Sequence, residues 1–466
     1  MLLKSEEISH ILQGKWSNPK SLPQYFDSSK IFIDSRKISK DSLFIALKGE
    51  KFDGHDFIDN AINAGASAIC ISNTKKVSRN ITVPVIVVSD TSEAYRKIAL
   101  LNRKKSQAKI VAITGTCGKT STKDFLHRII SFTFGENTVL GTAGNTNNLI
   151  GVPQNLLNLN ENHKFAVIEM GTNHFGEIEE LSLCTEPDIA IITSIGRGHL
   201  EFLKNVEGVA REKSCIFKGL RKNGIAIIPQ DCEFRNILLK EAQKYASKIL
   251  SFSTNKNAKA DITANCLENS IDGTKFKIFL KDFHPQKISL PIPGVHQISN
   301  AIAAILAAVE LGIPIASAIS ALQSASISGM RMRKKSICGI TFINDAYNSN
   351  PQSAIAALNC LSEIYRDKSN LIIFIGDMLE LGSDSVKMHI EVVSHAVKLF
   401  PESQIITVGK FMNEALKTLK NQKIKNFKNS IEAAKFAKNI IKKDQIVFLK
   451  GSRGMAMEEI EKAFEE

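Results

Sequence analysis

Residues 110–125 read IVAITGTCGKTSTKDF, an apolar run that meets Gly115 and Gly118 and then Lys119, Thr120 and Ser121. A strand passing through a glycine turn into a helix builds an anion cradle, because loop N–H groups and the helix N-terminus point at phosphate oxygens. The lysine adds a neutralising charge, and the hydroxyl of Thr120 can reach a divalent cation. Gly115 and Gly118 let the backbone approach without a Cβ in the way. Only Thr116 and Cys117 separate them, so the pattern is TGxxGKTS rather than the usual G-x4-GK[ST]. Cys117 reads as a small residue and not as a nucleophile. The chemistry expected is nucleotide binding and phosphoryl transfer, which asks for positioning and metal charge more than for covalent help.

Sheets of this kind place their sites at the carboxyl ends of the strands beside the loop. FAVIEMGTNHFGEIEEL ends a strand at Glu169 and runs on through Gly171 to His174. IAIITSIGRGHLEFL ends another and carries His199 and Glu201, and GVAREKSCIF places Lys213 on a helix. Glu169, at the end of a buried strand, calls for a compensating charge, which Mg²⁺ supplies. Taken singly, His199 is an ordinary loop histidine, and Glu201 and Lys213 pass as surface residues. Their succession after two neighbouring strands gives them weight.

The elements that must hold these groups are legible as short buried strands alternating with helical patterns, which predicts parallel sheets with crossover helices. VPVIVVSD and TSEAYRKIALLN close a less regular first hundred residues, and RKKSQAK (103–109) reads as a polar linker. IVAIT, FAVIEM, PDIAIITSI and GIAIIP follow, and a second series, NLIIFIGDM, QIITVGK and QIVFLKGS, comes after a small-residue break at 321–336. At 466 residues the chain is too long for one core. Three α/β domains are expected, 1–105, 106–326 and 327–466: a central P-loop ATPase-like parallel sheet and a C-terminal Rossmann-like domain, behind an N-terminal domain.

Composition excludes several function classes. The apolar stretch 301–319 contains Glu310, Gly312 and Pro314, so it reads as a buried helix and its exit rather than a membrane span. Glu6 and Glu7 stand where a signal peptide needs an apolar core, so a cytoplasmic protein is expected. The eight cysteines form no CxxC pair, which argues against structural zinc and a disulfide framework. A net charge of +13 suits polyanionic small substrates. The lysines are spread out without aromatic partners, so no nucleic-acid partner is expected.

With these residues in hand, the sequence resembles the Mur ligases over nearly its whole length. TGTCGKTS, GNTNNLIGVP (144–153), EMGTNHFGEIEEL, IGRGHLE (195–201), PGVHQISNAIAA (293–304), DAYNSNPQS (345–353), GDMLELG (376–382) and KGSRGMAM (450–457) match the family's boxes in order. The chain departs from the family after Glu201, where FLKN replaces a phenylalanine–glycine pair. Arg197, Gly198 and Thr146 are also unusual there.

The resemblance implies an ATP-dependent ligase that forms a carbon–nitrogen bond through an acyl phosphate. It implies that residues 115–121 hold the ATP phosphates. Thr120, Glu169 and His199 would surround Mg²⁺, together with Lys213 if that lysine is carbamylated. Asn300 would contact adenine, Arg331 the nucleotide, and Asp345 the ribose or phosphates. Tyr347, Asn348 and Asn350 would approach the incoming substrate. Ser35, Arg36, Asp53, Gly54 and His55 would lie near a uridine diphosphate sugar. Lys450 and Arg453 read as electrostatic contacts of the third domain.

DAYNSNPQS points to the members that join D-alanyl-D-alanine to UDP-N-acetylmuramoyl-tripeptide, a step of peptidoglycan precursor synthesis, acting as a monomer. A sibling that adds the third amino acid, or a folylpolyglutamate synthase-like ligase, is the alternative.

Overall fold

The computed structural model describes residues 1–49, 51–77, 81–326, 328–421 and 423–465 of the chain. The domain boundary expected at 327 falls on a residue outside these. Among the described residues the strands form four sheets.

The central sheet has nine strands, and its heart is parallel in the spatial order Val139–Gly141, Phe165–Glu169, Lys109–Thr114, Ile189–Ile192, Ile225–Pro229 and Lys248–Ser253. The runs FAVIE and IAII are buried at every residue, the pattern of strands covered by helices on both faces. Parallel register sets Ile113 beside Glu169 and Thr114 beside Ile192. The segments that follow these three strands therefore emerge side by side at one edge.

Past Lys248–Ser253 the sheet continues through Ile262–Ser270 into the antiparallel strands Gly273–Leu280 and Gln286–Leu290. This extension went unread in the sequence, although TKFKIFL alternates as a half-buried strand does. Helix Val295–Glu310, which includes most of the apolar stretch 301–319, packs on helix Lys119–Phe134 behind the glycine turn.

The N-terminal third is more regular than its sequence suggests. Strands Ile31–Phe32, Ser42–Ile45, Ala66–Ile71 and Val85–Val87 run parallel in sequential order. The C-terminal third holds a six-stranded Rossmann-like sheet. Ile340–Asp345, Ile446–Lys450, Leu371–Gly376, Gln404–Val408 and Lys425–Phe427 are parallel, and Arg333–Ile337 is antiparallel on the edge. No helix among the described residues is long and apolar enough to cross a membrane.

The thirds are joined unequally. One apolar core runs unbroken from Leu3, Phe26, Ile86 and Ile98 of the first third into Ala112, Leu156, Ile168 and Phe217 of the second. The C-terminal third closes its own cores, and the larger of them takes in only Leu200 and Ile271 from elsewhere.

The polar linker expected at 103–109 is mostly not a linker. Residues 103–105 end helix Thr91–Lys105, and Lys109 already begins a strand. Arg103 is fully buried. It donates to the carbonyls of Thr185 (2.9 Å), Ala108 (3.0 Å) and Glu186 (2.9 Å) and reaches the Asp188 carboxylate at 3.2 Å. Burial pulls its pKa down to about 10 despite those acidic neighbours. Asn102 beside it donates to the carbonyls of Leu156 and Leu159.

Arg103 thus rivets the first third to the second. Arg103→Met should strand three buried carbonyls and cost about 2–4 kcal/mol. Thermal unfolding should show the loss as a midpoint several degrees lower.

Candidate active site

Helix Lys119–Phe134 begins at Gly118, whose φ of +85° and lack of a capping side chain leave the first-turn N–H groups free to point outward. The turn is squeezed from both sides. A Cβ on Gly115 would fall 2.0 Å from Thr193 Oγ1, and one on Gly118 would fall 2.1 Å from Asn300 Oδ1. Thr193 and Ser194, just past strand Ile189–Ile192, clasp the loop. Their hydroxyls donate to the Cys117 carbonyl at 2.6 and 3.0 Å, and the Cys117 N–H donates to Ser194 Oγ at 2.9 Å. Thr116 is held by its N–H on the Ser194 carbonyl at 2.9 Å. Lys119 Nζ folds back onto the Gly115 carbonyl at 2.8 Å, placing its charge over the loop.

Thr120 and Glu169 meet. The hydroxyl donates to Glu169 Oε2 at 2.8 Å, Asn147 Nδ2 donates to the other carboxylate oxygen at 2.8 Å, and the Glu169 N–H donates to Thr142 Oγ1 at 2.8 Å. Asn147, from the GNTNN box, was not singled out as a site residue in the sequence. Only its place beside a buried carboxylate reveals it. Thr120 and Glu169 are both buried, oxygen-bearing and at the carboxyl edge, a donor set that fits Mg²⁺.

Lys213, fully buried on helix Val206–Ser214, has its pKa drawn down to about 7 by burial and then by the charge of Lys119. Those causes place it within reach of the loop. As an ammonium it would repel a nearby cation, and only as an anionic carbamate would it join the donor set.

His199 is turned elsewhere. With φ +55° it sets Nδ1 2.7 Å from Glu380 Oε2 of the C-terminal third. The His199 contact holds the Glu380 carboxyl below its usual range, against the opposing effect of burial. Among the described residues, no three His, Cys, Asp or Glu side chains are grouped so as to hold a metal ion. The other post-strand histidine, His174, packs its ring at a tilt against Phe202, with centroids 4.4 Å apart.

The C-terminal third reaches the loop at several points. Arg331 donates to Thr120 Oγ1 at 2.9 Å and stacks over Tyr347 at 3.8 Å. Asn350 caps helix Pro351–Ile364 through Ser353, and its amide donates to Cys117 Sγ at 3.3 Å. Lys450 makes its electrostatic contact inside the third domain, as a buried brace. It is buried, donates to the carbonyls of Asp345 and Asn348 at 3.0 and 2.8 Å, and pairs with the Asp345 carboxylate at 2.9 Å. Arg453 pairs with Glu458.

The remaining candidates gather far along the chain from this loop, at the carboxyl edge of the N-terminal sheet. Ser35 and Arg36 open a 3-10 turn after Ile31–Phe32, and Arg36 is exposed and forked on Asp34. Asp53 accepts from His55 Nδ1 at 2.6 Å and from Lys76 at 2.9 Å. Burial opposes ionisation there, but these bonds together hold its carboxyl well below the usual range. His55 Nε2 accepts the Ser72 N–H at 2.9 Å, so this ring ties two loops together. A Cβ on Gly54 would strike the Leu47 backbone at 2.7 Å.

Three family models match in order: a Mur ligase catalytic domain over residues 28–103, a Mur ligase middle domain over 113–308, and a Mur ligase glutamate ligase domain over 330–453. A UDP-N-acetylmuramoyl-tripeptide–D-alanyl-D-alanine ligase of Buchnera aphidicola is 37% identical over 439 residues, covering 92% of this chain and 91% of that protein. The chain belongs to the Mur ligase family.

A MurF crystal structure from Acinetobacter baumannii superposes on this Mur ligase with a TM-score of 0.89 at 30% identity, covering 100% and 99% of the two chains. MurF from Thermotoga maritima in complex with ADP follows with 0.81 at 25% identity, covering 94% and 98%. The three-domain α/β architecture expected from sequence is therefore that of the family, and the chain is an ATP-dependent carbon–nitrogen ligase.

The crowding at Gly118 predicts that Gly118→Ala, with its clash and its unfavourable φ, weakens ATP-analogue binding about 100-fold or more in titration calorimetry.

Proposed function

We propose that this Mur ligase joins D-alanyl-D-alanine to UDP-N-acetylmuramoyl-tripeptide at the expense of ATP, in the cytoplasm and as a single chain. Its units are 1–105 for the UDP-sugar, 106–326 for ATP and 327–466 for the incoming dipeptide. The observation that carries the reading is the crowded glycine turn Gly115–Ser121 beside the Thr120–Glu169 pair, in a chain similar over its full length to ligases of that name.

A carboxylate does not acylate an amine, because its oxygen does not leave. In the proposed reaction the terminal carboxylate of the tripeptide attacks the γ-phosphorus of ATP. The bond from γ-phosphorus to the bridging oxygen breaks, ADP departs and an acyl phosphate forms. The dipeptide amine then attacks the acyl carbon and loses a proton, and the C–O bond to phosphate breaks as the amide forms.

Gly115–Ser121 bind the phosphates through N–H groups and the helix N-terminus, and Lys119 exchanges its carbonyl contact for phosphate oxygen. Mg²⁺ would be held by Thr120 and Glu169, joined by carbamylated Lys213 and, on release from Glu380, by His199, and would screen repulsion between the nucleophile and the triphosphate. Asn300, packed on Gly118, and Arg331, on Thr120, stand where adenine and phosphate contacts are wanted. Asp345, Tyr347, Asn348 and Asn350 form the face the C-terminal third brings to them. Ser35, Arg36, Asp53, Gly54 and His55 form or shape the uridine diphosphate pocket at the edge of the first sheet. Contacts such as Asn350 with Cys117 keep water from the acyl phosphate.

Phosphate release by purified enzyme should require ATP, the UDP-tripeptide and D-Ala-D-Ala together. Release driven by a diamino acid and the UDP-dipeptide would contradict the proposal.

Lys213 gives a second test. With its pKa near 7 the amine is substantially neutral at neutral pH and able to add CO₂, whereas acidification protonates it. Activity of CO₂-depleted enzyme should rise with added bicarbonate above pH 7 and respond little well below it. Lys213→Ala should abolish the bicarbonate response.

A further inference from the structure

A cleft of about 780 Å³ opens between the short helix Leu200–Leu203 with Lys204 and the loop 379–385 with Phe411 of the C-terminal third. Its walls touch at the rim. The Glu201 N–H lies 3.4 Å from the Glu380 carbonyl, and a Cβ on Gly382 would sit 3.2 Å from Glu201 Cα. His199, whose ring meets Glu380, lies three residues past Gly196, whose N–H donates to Thr116 Oγ1 of the glycine turn at 3.0 Å, so the cleft adjoins the site already described. The lining is amphoteric. Glu201, Glu380 and Asp384 supply negative charge, Lys204 the one positive charge, and Leu379 and Phe411 apolar surface. Among the described residues, the side chains of Glu201, Lys204 and Asp384 make no ion pair or hydrogen bond.

Lys204 is held there by an unusual backbone. Its φ of +68° and ψ of −56°, with the Asn205 N–H on the Leu203 carbonyl at 2.8 Å, make it the centre of a γ-turn of the strained hand. Glycine would adopt that conformation without a side-chain penalty, yet this chain places a lysine there. Asn205 immediately resumes order by capping helix Val206–Ser214 through the Gly208 N–H. The chain thus tolerates local strain at a point where the side chain lines a cleft.

We propose that Lys204 is a specificity-determining residue: it receives the carboxylate of the incoming zwitterionic dipeptide in this cleft. The proposal rests on the ligase reading above. A dipeptide carries an ammonium at one end, a carboxylate at the other and methyl groups between. The acidic side chains draw in the ammonium end, Leu379 and Phe411 meet the methyls, and Lys204 selects for a free carboxyl terminus. The amine end is thereby directed toward His199 and the glycine turn, and the two walls hold the dipeptide only when the C-terminal third is in place.

The test uses the full-length enzyme with D-Ala-D-Ala and with its C-terminal carboxamide, following phosphate release. The unsubstituted enzyme should prefer the free acid in KM. Lys204→Ala should raise KM for D-Ala-D-Ala about tenfold with kcat and the KM values for ATP and UDP-tripeptide within about twofold, and should erase the preference over the carboxamide. Lys204→Arg should restore most of that preference. Lys204→Gly relieves the backbone strain, so it should be at least as thermostable as the unsubstituted enzyme and still show the KM defect. An unchanged dipeptide KM in Lys204→Ala and Lys204→Gly, or equal use of acid and amide by the unsubstituted enzyme, overturns the role of Lys204. Failure of the unsubstituted enzyme to turn over D-Ala-D-Ala at all overturns the proposed dipeptide reaction and this proposal with it.

Discussion

The turn from Gly115 to Lys119 has no room for a Cβ at either of its glycines, and the surrounding structure keeps it so. Thr193 and Asn300 press on it from two directions, one from the strand next door and one from a helix behind. Because Thr193 directly follows a fully buried strand and Asn300 is buried on a helix packed in the core, the walls cannot readily relax outward, and interiors packed this closely transmit such constraints. The helix N-terminus that results is uncapped by any side chain, which is costly unless an anion takes the place of the cap. Thr120, one residue into that helix, then falls by register against Glu169. Cradle and cation donors are therefore one geometric fact.

Around that centre the contacts between the thirds of the chain are unevenly distributed. The first two thirds share an apolar core sealed by Arg103 and Asn102, so moving one against the other would expose buried carbonyls. The C-terminal third meets the loop through single polar contacts, Arg331 on Thr120, Asn350 on Cys117 and Glu380 near His199. Each is replaceable by water at small net cost. In the proposed reaction this asymmetry lets the last domain admit substrates and then exclude water, while the nucleotide and sugar sites keep a fixed separation.

Strands with continuous apolar runs were legible in the sequence, since burial on both faces leaves no other reading for FAVIE or IAII beside glycine-rich turns. The positions of the glycine turn and of Glu169 were legible for the same reason, as groups at fixed offsets from such strands. The antiparallel extension 262–290 escaped because its half-exposed alternation is weak, and Arg103 because a charged residue after a helix looks like a solvated linker. Asn147, Glu380 and Lys204 carry no local signal. Their significance comes from long-range juxtaposition, Glu380 and Lys204 on facing walls of one cleft and Asn147 on a carboxylate two elements away. Lys450, read as an electrostatic contact of the third domain, pairs within that domain with Asp345 and donates to the Asn348 carbonyl, although its burial was not foreseen.

The electrostatics follow one logic. A net charge of +13 draws polyanions, but the decisive charges are few and constrained: Lys119 over the loop, Glu169 buried beneath it, and Lys213, whose pKa is drawn down to about 7 by burial and by Lys119 itself. Such an arrangement favours moving a phosphoryl group onto an oxygen anion that would otherwise be repelled. The claim is tested most directly by labelling the terminal carboxylate of the tripeptide with ¹⁸O and following the label after turnover. The account predicts one ¹⁸O atom in each inorganic phosphate released, and phosphate free of label would contradict it.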